Sequence, residues 1–162
     1  MKKKIVLVNG SFDILNAGHI KALKRCKSLG DYLIVSLNTD ELIEKVKQHS
    51  VVIPYKQRKA ILESIRYVDK VVPNDVFKTL PTLKKYKPDI FAYSCEYNKA
   101  EEEHWMKEHG GKCIILPRYK NILSSGVIKQ KIANSSHLFI RKEPQFASVA
   151  ERKTFYSQHD EN

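Results

Sequence analysis

Residues 10–19 contain the side chains best suited to chemistry in this chain. They read Gly-Ser-Phe-Asp-Ile-Leu-Asn-Ala-Gly-His and follow an apolar run at residues 5–8. From Ile20 onward apolar residues recur every third position, which predicts a helix that begins near His19. The start of a helix carries unpaired N–H groups and the positive end of the helix dipole, and both favour a phosphate. The strand, glycine-containing turn and helix therefore predict a phosphate site, with His19 as a further hydrogen-bond donor.

The apolar pattern around this segment predicts strands that alternate with helices. Strands are expected at residues 4–9, 32–37, 69–72, 89–93 and 112–116. Helices are expected at residues 19–29, 39–46, 55–67, 77–86, 100–109 and 124–133. Such alternation predicts an α/β fold, a single doubly wound parallel five-stranded sheet with helices on both faces. Ligands of these sheets bind at the carboxyl ends of the strands, which is where residues 10–19 begin.

The same segment carries a family resemblance. Its pattern is similar to the G-[ST]-F-D-x-x-[HT]-x-G-H signature of the nucleotidyltransferase superfamily. Within that superfamily it resembles the cytidylyltransferase-like branch, which includes glycerol-3-phosphate cytidylyltransferases and the nucleotidyltransferase domains of ADP-heptose synthesis enzymes. The resemblance covers residues 4–132 and implies the same Rossmann-like sheet. It also implies a reaction in which a substrate phosphate attacks the α-phosphorus of a nucleoside triphosphate and pyrophosphate leaves.

The resemblance assigns roles within residues 10–19. His19 is expected to donate a hydrogen bond to the α-phosphate in the transition state. Asn16 stands where relatives carry histidine or threonine, and its amide still donates a hydrogen bond but carries no charge, so we include it among the catalytic residues. Asp13 is expected to order the turn or to contact the acceptor. The other matching positions are expected to bind the nucleotide: Gly10, Ser11, Phe12 and Gly18.

Two basic positions lie in the middle of the chain. Arg58 matches a family position that helps to bind phosphates, and its planar fork of donors suits that task. Lys47 lies near the place where relatives carry a lysine in a flexible loop, and the resemblance implies a catalytic role in closing over the triphosphate. Lys45 is an alternative for the same role. Either residue could equally well be a solvated surface lysine without a role in catalysis.

A third block runs from Arg118 to Gly126 and resembles the family segment R-x-x-x-I-S-[ST]-[ST], with one extra residue and glycine at the last hydroxyl position. The resemblance implies a catalytic contact from Arg118 to phosphate or nucleotide. Ser124 and Ser125 precede an apolar helical pattern, where their hydroxyls could cap the helix and hold the β- or γ-phosphate. Glu96 is expected to contact the acceptor, although the residues around it match the family poorly, so the acceptor stays open.

Composition limits the class of protein and its partners. The chain has 162 residues and a net charge of +11, which is consistent either with a solvated basic surface or with a field that attracts anionic substrates. Nucleic acid is the less favoured partner, because the chain has no helix-turn-helix signature, finger spacing or single-strand-binding motif. Three widely spaced cysteines without a CxxC pair argue against a disulfide framework or a zinc site and favour a reducing cytoplasm.

The domain organisation follows from length and charge. We expect a nucleotidyltransferase domain at residues 1–133 and a C-terminal extension at residues 134–162, where four basic and four acidic residues cancel. No apolar run is long enough to cross a bilayer, and the apolar run near the N-terminus is too short for a signal peptide. The extension could pack against the domain or against a second subunit, or it could fray at its polar end.

The sequence favours transfer of CMP from CTP to a small phosphorylated alcohol or sugar similar to glycerol-3-phosphate. One alternative is an adenylyltransferase that uses ATP and a sugar phosphate such as heptose phosphate, and overall similarity favours CTP over ATP. A second alternative is a non-catalytic module that binds nucleotide or nucleic acid. The resemblance implies Mg²⁺ with the triphosphate, although no dedicated protein cage for a metal is visible. We expect a cytoplasmic homodimer without a membrane partner.

Overall fold

The computed structural model of the protein describes residues 2–47, 51–94, 98–119 and 122–135, apart from the side chain of Lys47. Strands and helices alternate along these residues in the predicted order. The strands are β1 (Ile5–Gly10), β2 (Tyr32–Asn38), β3 (Lys70–Asn74), β4 (Ile90–Ser94) and β5 (Lys112–Leu116). The helices are α1 (Ala17–Lys27), α2 (Asp40–Lys47), α3 (Tyr55–Glu63), α4 (Leu80–Tyr86), α5 (Ala100–Glu108) and α6 (Ser125–Asn134).

The five strands form one parallel sheet in the order β3-β2-β1-β4-β5, which confirms the predicted fold class. β1 is central, and its Leu7 pairs with Ile34 of β2 on one side and with Phe91 of β4 on the other. Since the chain passes from the β3 edge back across β1 to begin β4, the strand order reverses between β1 and β4. Loops diverge at such a reversal and leave a crevice at the carboxyl edge of the sheet, and the 10–19 loop lies there.

Helices cover both faces of the sheet because the strands are apolar on both faces. On one face Leu23 and Cys26 of α1 and Leu62 of α3 pack with Val6 and Val35. The opposite face is covered by α4 and α5 through a second cluster of buried residues: Leu7, Ile34, Val72, Leu83, Phe91, Tyr93 and Met106. No helix among the described residues has the length and apolarity that a bilayer crossing would need.

Two helices differ from the prediction by three residues or more at one end. α3 ends at Glu63 rather than at residue 67, because Ser64 caps it. The N–H of Ile65 then bonds the carbonyl oxygen of Leu62, and the Ile65 side chain packs on the core. α4 begins at Leu80 rather than at residue 77, since Pro81 lacks an N–H and is tolerated only in the first turn of a helix. Residues 75–79 are consequently irregular, and they follow directly after the carboxyl end of β3.

Residues 1–128 form one compact unit that contains the whole sheet. Residues 129–135 belong to a second unit and include the last turns of α6. The predicted domain boundary after residue 133 stays a prediction, because the predicted extension lies outside the described residues from position 136 onward.

The turn between α1 and β2 provides a test of packing at the sheet. A Cβ atom at Gly30 would lie 2.7 Å from the carbonyl oxygen of Lys4 and 2.8 Å from Val6, and the Lys4 carbonyl also accepts the N–H groups of Asp31 and Tyr32. Because the backbone there is held, we expect Gly30→Ala to lower the free energy of unfolding by about 1–3 kcal/mol in urea titrations.

Gly126→Ala is the matched control. A Cβ atom at Gly126 would meet nothing closer than the Ser124 hydroxyl at 3.9 Å, so this change should be neutral or slightly stabilising. Equal stability of the two variants would contradict the packing described for Gly30.

Candidate functional site

The helix that follows the 10–19 loop is capped by Asn16. The Asn16 side-chain oxygen accepts the backbone N–H of Gly18 at 2.9 Å and that of His19 at 3.4 Å, while Nδ1 of His19 accepts the backbone N–H of Asn16 at 3.2 Å. This reciprocal arrangement is a capping box with histidine in the position that glutamate usually occupies. Because Nδ1 is an acceptor, the proton of the neutral ring lies on Nε2, so His19 presents a donor at its outer nitrogen.

The capping box changes how the start of α1 could bind an anion. Two of the first-turn N–H groups that the sequence made available for phosphate are bonded to Asn16 instead. The Asn16 amide N–H also bonds the carbonyl oxygen of Ile14 at 3.3 Å. Asn16 therefore holds the loop and orients His19, and a direct catalytic contact from Asn16 stays a prediction. His19 is half-buried, and its predicted hydrogen bond to a phosphate stays a prediction.

Phe12 is buried in the core, and the nucleotide contact that the resemblance implies for it stays a prediction. Its ring is 7% exposed, packs in the cluster under β1, and lies 5.4 Å from the His19 ring between centroids. A Cβ atom at Gly10 would lie 2.9 Å from the Phe12 ring, so glycine there makes room for the buried ring. Phe12 thus helps to position the His19 ring.

The loop has a strained backbone. Phe12 and Ile14 both have φ of +49°, in the left-handed region that costs a non-glycine residue roughly 1–2 kcal/mol. Such a conformation persists only where the surroundings hold it. The bonds that hold this loop come from Arg58 and Asp13.

Arg58 is fully buried and bonds three parts of the structure. Its Nε donates to the carbonyl oxygen of Ile53 at 2.8 Å, Nη1 donates to the carbonyl oxygen of Ser11, and Nη2 pairs with the Asp40 carboxylate at 2.6 Å. The Tyr55 ring lies against the guanidinium, and burial raises the pKa of the Tyr55 phenol. Arg58 therefore positions the 10–19 loop, and the direct phosphate contact predicted from the sequence would require these bonds to rearrange.

Asp13 and Asp40 complete this support. The buried Asp13 carboxylate accepts the backbone N–H groups of Val52 and Ile53, at 3.2 and 3.0 Å. Asp40 accepts the N–H of Tyr55 at 2.9 Å in addition to its pair with Arg58. Asp13 thus orders the turn, which is one of the two roles predicted for it, while its contact with an acceptor stays a prediction. The sequence analysis missed Asp40, although an acidic residue at a predicted helix start was visible.

The third predicted block lies beside the start of α1. A Cβ atom at Gly18 would lie 3.4 Å from the Ile122 side chain, so glycine lets this block approach the loop. Ser124 caps α6, with its hydroxyl accepting the N–H of Val127 at 3.3 Å, and Ser125 is the first residue of that helix. Arg118 is exposed two residues beyond β5. The predicted helix start is confirmed in position, and the phosphate contacts stay predictions.

Two predicted residues cannot be placed against the site. Glu96 lies outside the described residues, and for Lys47 the structure describes only the backbone, at the end of α2. The alternative Lys45 is exposed on the same helix. Their predicted roles in acceptor binding and in closing over the triphosphate therefore stay predictions.

A cleft of about 550 Å³ opens on the other side of the 10–19 loop, between α2, the irregular residues 75–79 and the start of α5. The residues that line it belong to four segments: Asn9, Gly10 and Ser11; Asn38, Leu42, Ile43 and Val46; Phe77 and Lys78; and Asn98, Lys99, Ala100, Glu101 and Glu102. His19 is not among the residues that line this cleft, whereas Gly10 and Ser11 of the same loop are.

The sequence did not predict the asparagines of this cleft, of which Asn9 and Asn38 line it and Asn74 lies outside the lining. Asn9, Asn38 and Asn74 lie at the carboxyl ends of three adjacent strands, and their side chains bond to one another across the sheet. The sequence does contain a signal for this network, because an asparagine lies at or near the end of each of the first three apolar strands. Parallel strands bring such residues to one edge, which makes them candidates for ligand contact.

Thiol chemistry does not contribute to the described site. Burial raises the pKa of Cys26 to about 12 and that of Cys113 to about 11, so both thiols stay protonated at neutral pH. Both cysteines are free of disulfides.

The support by Arg58 gives a stability prediction. Arg58→Lys removes the fork that joins Ser11, Ile53 and Asp40, and it places an ammonium group where three directed bonds are needed. We expect the free energy of unfolding to fall by roughly 3 kcal/mol in urea titrations. Lys59→Met is the control, since the Lys59–Glu63 pair is exposed and should contribute less than about 1 kcal/mol. A lysine variant as stable as the wild type would contradict the role given to Arg58.

Comparison with known proteins agrees with this geometry. Residues 7–130 match the family described as cytidylyltransferase-like. A glycerol-3-phosphate cytidylyltransferase from Staphylococcus aureus is 38% identical over 132 residues, which cover 80% of this chain and 95% of that protein. The bifunctional protein HldE from Campylobacter concisus is 40% identical over 101 residues, which cover 62% of this chain and 21% of that protein.

The fold also matches a solved structure. A lipopolysaccharide core biosynthesis protein from Thermoplasma volcanium superposes with a TM-score of 0.66 at 26% sequence identity, over 74% of this chain and 100% of that protein. The family match spans the sheet, the 10–19 loop and the block that caps α6. This chain therefore belongs to the cytidylyltransferase-like family of nucleotidyltransferases.

Proposed function

We propose that this protein transfers the CMP group of CTP to a small phosphorylated alcohol or sugar, in the manner of glycerol-3-phosphate cytidylyltransferases, and releases pyrophosphate. The observation that carries the proposal is the Nε2 donor of His19, which the capping box fixes beside the reversal in strand order. The 38% identity to a glycerol-3-phosphate cytidylyltransferase over most of both chains supports the choice of CTP and of the acceptor type.

His19 would act on the charge that develops during transfer. Negative charge grows on the α-phosphoryl oxygens as the acceptor phosphate attacks, and a donor aimed at that charge stabilises the transition state more than the ground state. The N–H of Asn16 holds the ring by its inner nitrogen, so the outer nitrogen keeps its proton and needs no reorganisation. The chain supplies alignment and charge stabilisation, and no covalent nucleophile is required.

Further residues of the nucleotide side would hold the triphosphate. Ser124 and Ser125 offer hydroxyls at the start of α6, next to the segment that packs on Gly18. Arg118 would contribute a guanidinium, and Lys47 would close over the phosphates. On the acceptor side we place the substrate in the cleft next to Ser11, with Glu96 as a further contact.

The metal that accompanies the triphosphate would be Mg²⁺. Within the described ranges, no group of three or more carboxylate, histidine or cysteine side chains is arranged to hold an ion. In phosphoryl-transfer sites Mg²⁺ is bound by one or two carboxylates together with the oxygens of the substrate phosphates. When bound, the ion would neutralise charge on the phosphates, while the residues named above bind and orient the nucleotide.

Location and assembly are also part of the proposal. Nucleoside triphosphates are cytoplasmic substrates, and the free, protonated thiols of Cys26 and Cys113 suit a reducing compartment. We place the enzyme in the cytoplasm, as a homodimer.

Substitutions of His19 test the mechanism by separating its two nitrogens. His19→Asn keeps an acceptor near the position of Nδ1 and removes the outer donor, so kcat should fall about 10²–10³-fold while the protein stays folded. His19→Gln places an amide near the position of Nε2, and should retain more activity than the asparagine variant. The assay follows pyrophosphate release with CTP, Mg²⁺ and glycerol 3-phosphate.

His104→Ala is the matched control, since His104 is 74% exposed on α5 and should leave kcat unchanged. The assay is repeated with each of the four nucleoside triphosphates and a panel of phosphate esters. Release with ATP alone would favour the adenylyltransferase instead. No release with any pair, or full activity of His19→Asn, would refute the proposal.

A further inference from the structure

Two asparagine amides, Asn9 and Asn38, line the floor of the cleft, and the buried Asn74, which is outside the lining, bonds to Asn38. Asn9 Nδ2 donates to the carbonyl oxygen of Ser36 at 3.0 Å and to Asn38 Oδ1 at 2.9 Å. Asn74 Nδ2 donates to the carbonyl oxygen of Val76 at 2.8 Å and to Asn38 Oδ1 at 3.0 Å. Because a backbone carbonyl can only accept, each outer amide must turn its NH₂ group inward, and Asn38 must present its oxygen to both.

This orientation determines what the floor offers to a ligand. Both N–H groups of Asn9 are used, so its amide oxygen remains as an acceptor and has no partner among the described residues. Asn38 gives one N–H to the Ser11 hydroxyl at 3.3 Å and keeps the other. Since that hydroxyl accepts from Asn38, its own proton can be donated. The floor therefore offers an acceptor and two donors, all uncharged, and a hydroxyl group can pair with either kind.

One wall of the cleft is apolar. Phe77 is 67% exposed and lines the cleft together with three apolar residues of α2, of which Val46 is also exposed while Leu42 and Ile43 are buried. An exposed aromatic ring beside polar groups is typical of a surface that a ligand covers. It would pack against a flat carbon framework better than against a short open chain.

The charged residues of the cleft lining pair with each other. Lys78 bonds Glu101 at 2.5 Å, and Lys99 bonds the buried Glu102 at 3.0 Å. Glu102 also accepts the backbone N–H of Thr79, which fixes the segment that carries Phe77. The lysines in this lining are therefore neutralised, so the floor and wall favour an uncharged group over a second anion.

We infer that the acceptor is a ring sugar phosphate, with its hydroxyls on Asn9, Asn38 and Ser11 and the carbon face of the ring on Phe77. The inference rests on the proposed function, because the sugar's phosphate must extend over the 10–19 loop to the nucleotide. There an oxygen of that phosphate bonds to the α-phosphorus of CTP, and the bond from that phosphorus to the bridging oxygen breaks. Pyrophosphate leaves with the electron pair. Phe77 and the asparagine floor are specificity-determining, and they take no part in the chemical step.

The test compares acceptors on the wild-type enzyme and on a variant of the wall. Mannose 1-phosphate and glucose 1-phosphate are compared with ribitol 5-phosphate and glycerol 3-phosphate, with pyrophosphate release as the readout. We expect a ring sugar phosphate to have a kcat/KM at least about tenfold above that of the open-chain acceptors. Phe77→Ala should raise the KM for the ring acceptor about five- to tenfold, and leave kcat and the KM for CTP within about twofold.

Two further variants separate recognition from a general structural effect. Phe77→Trp keeps an aromatic face and should restore the KM for the ring acceptor. Val76→Ala changes the neighbouring residue, which is exposed but lies outside the cleft lining, and should have no effect on any acceptor. Turnover in which glycerol 3-phosphate is the best acceptor, or in which Phe77→Ala weakens all acceptors equally, would overturn this inference and leave the proposed function intact. No turnover with any acceptor would overturn both.

Discussion

The buried guanidinium of Arg58 is the interaction on which the rest of the site depends. It joins the carbonyl oxygens of Ser11 and Ile53 to the carboxylate of Asp40, and so connects the 10–19 loop, the segment before α3 and the start of α2. The 10–19 loop includes two residues with positive φ, and a free loop would relax from that conformation. Breaking the bonds of the buried Arg58 guanidinium would leave its charge unpaired, which is costly. The loop therefore keeps this conformation as long as the protein is folded.

The loop held in this way contributes to two parts of the carboxyl edge of the sheet. On the side of α1 the capping box holds the His19 ring by its Nδ1 atom, and the segment that leads into α6 packs on Gly18. On the side of α2 the loop contributes Ser11 to a cleft with a neutral floor and an aromatic wall. Two-substrate transfer needs this arrangement, because both reactants must lie within bonding distance while each is recognised separately.

Much of the fold and part of the site could be predicted from the sequence. Buried parallel strands are continuous apolar runs, so the five strands and their order along the chain were evident. The identity of the 10–19 loop followed from residue types at fixed spacing. The roles of Arg58 and Phe12 could not be assigned in the same way, because a guanidinium or a ring suits either a ligand or the protein interior, and burial alone distinguishes the two.

The sequence by itself determined the family, the parallel sheet and the segment where phosphate chemistry belongs, because each depends on short-range pattern. Only the tertiary structure decided that Asn16 caps α1 and orients His19, that Arg58 supports the loop, and that three asparagines from separate strands bond to one another. The physical reason is the directionality of hydrogen bonds. A side chain's role depends on which partners the fold brings within about 3 Å, and residues that are distant along the chain supply most of those partners here.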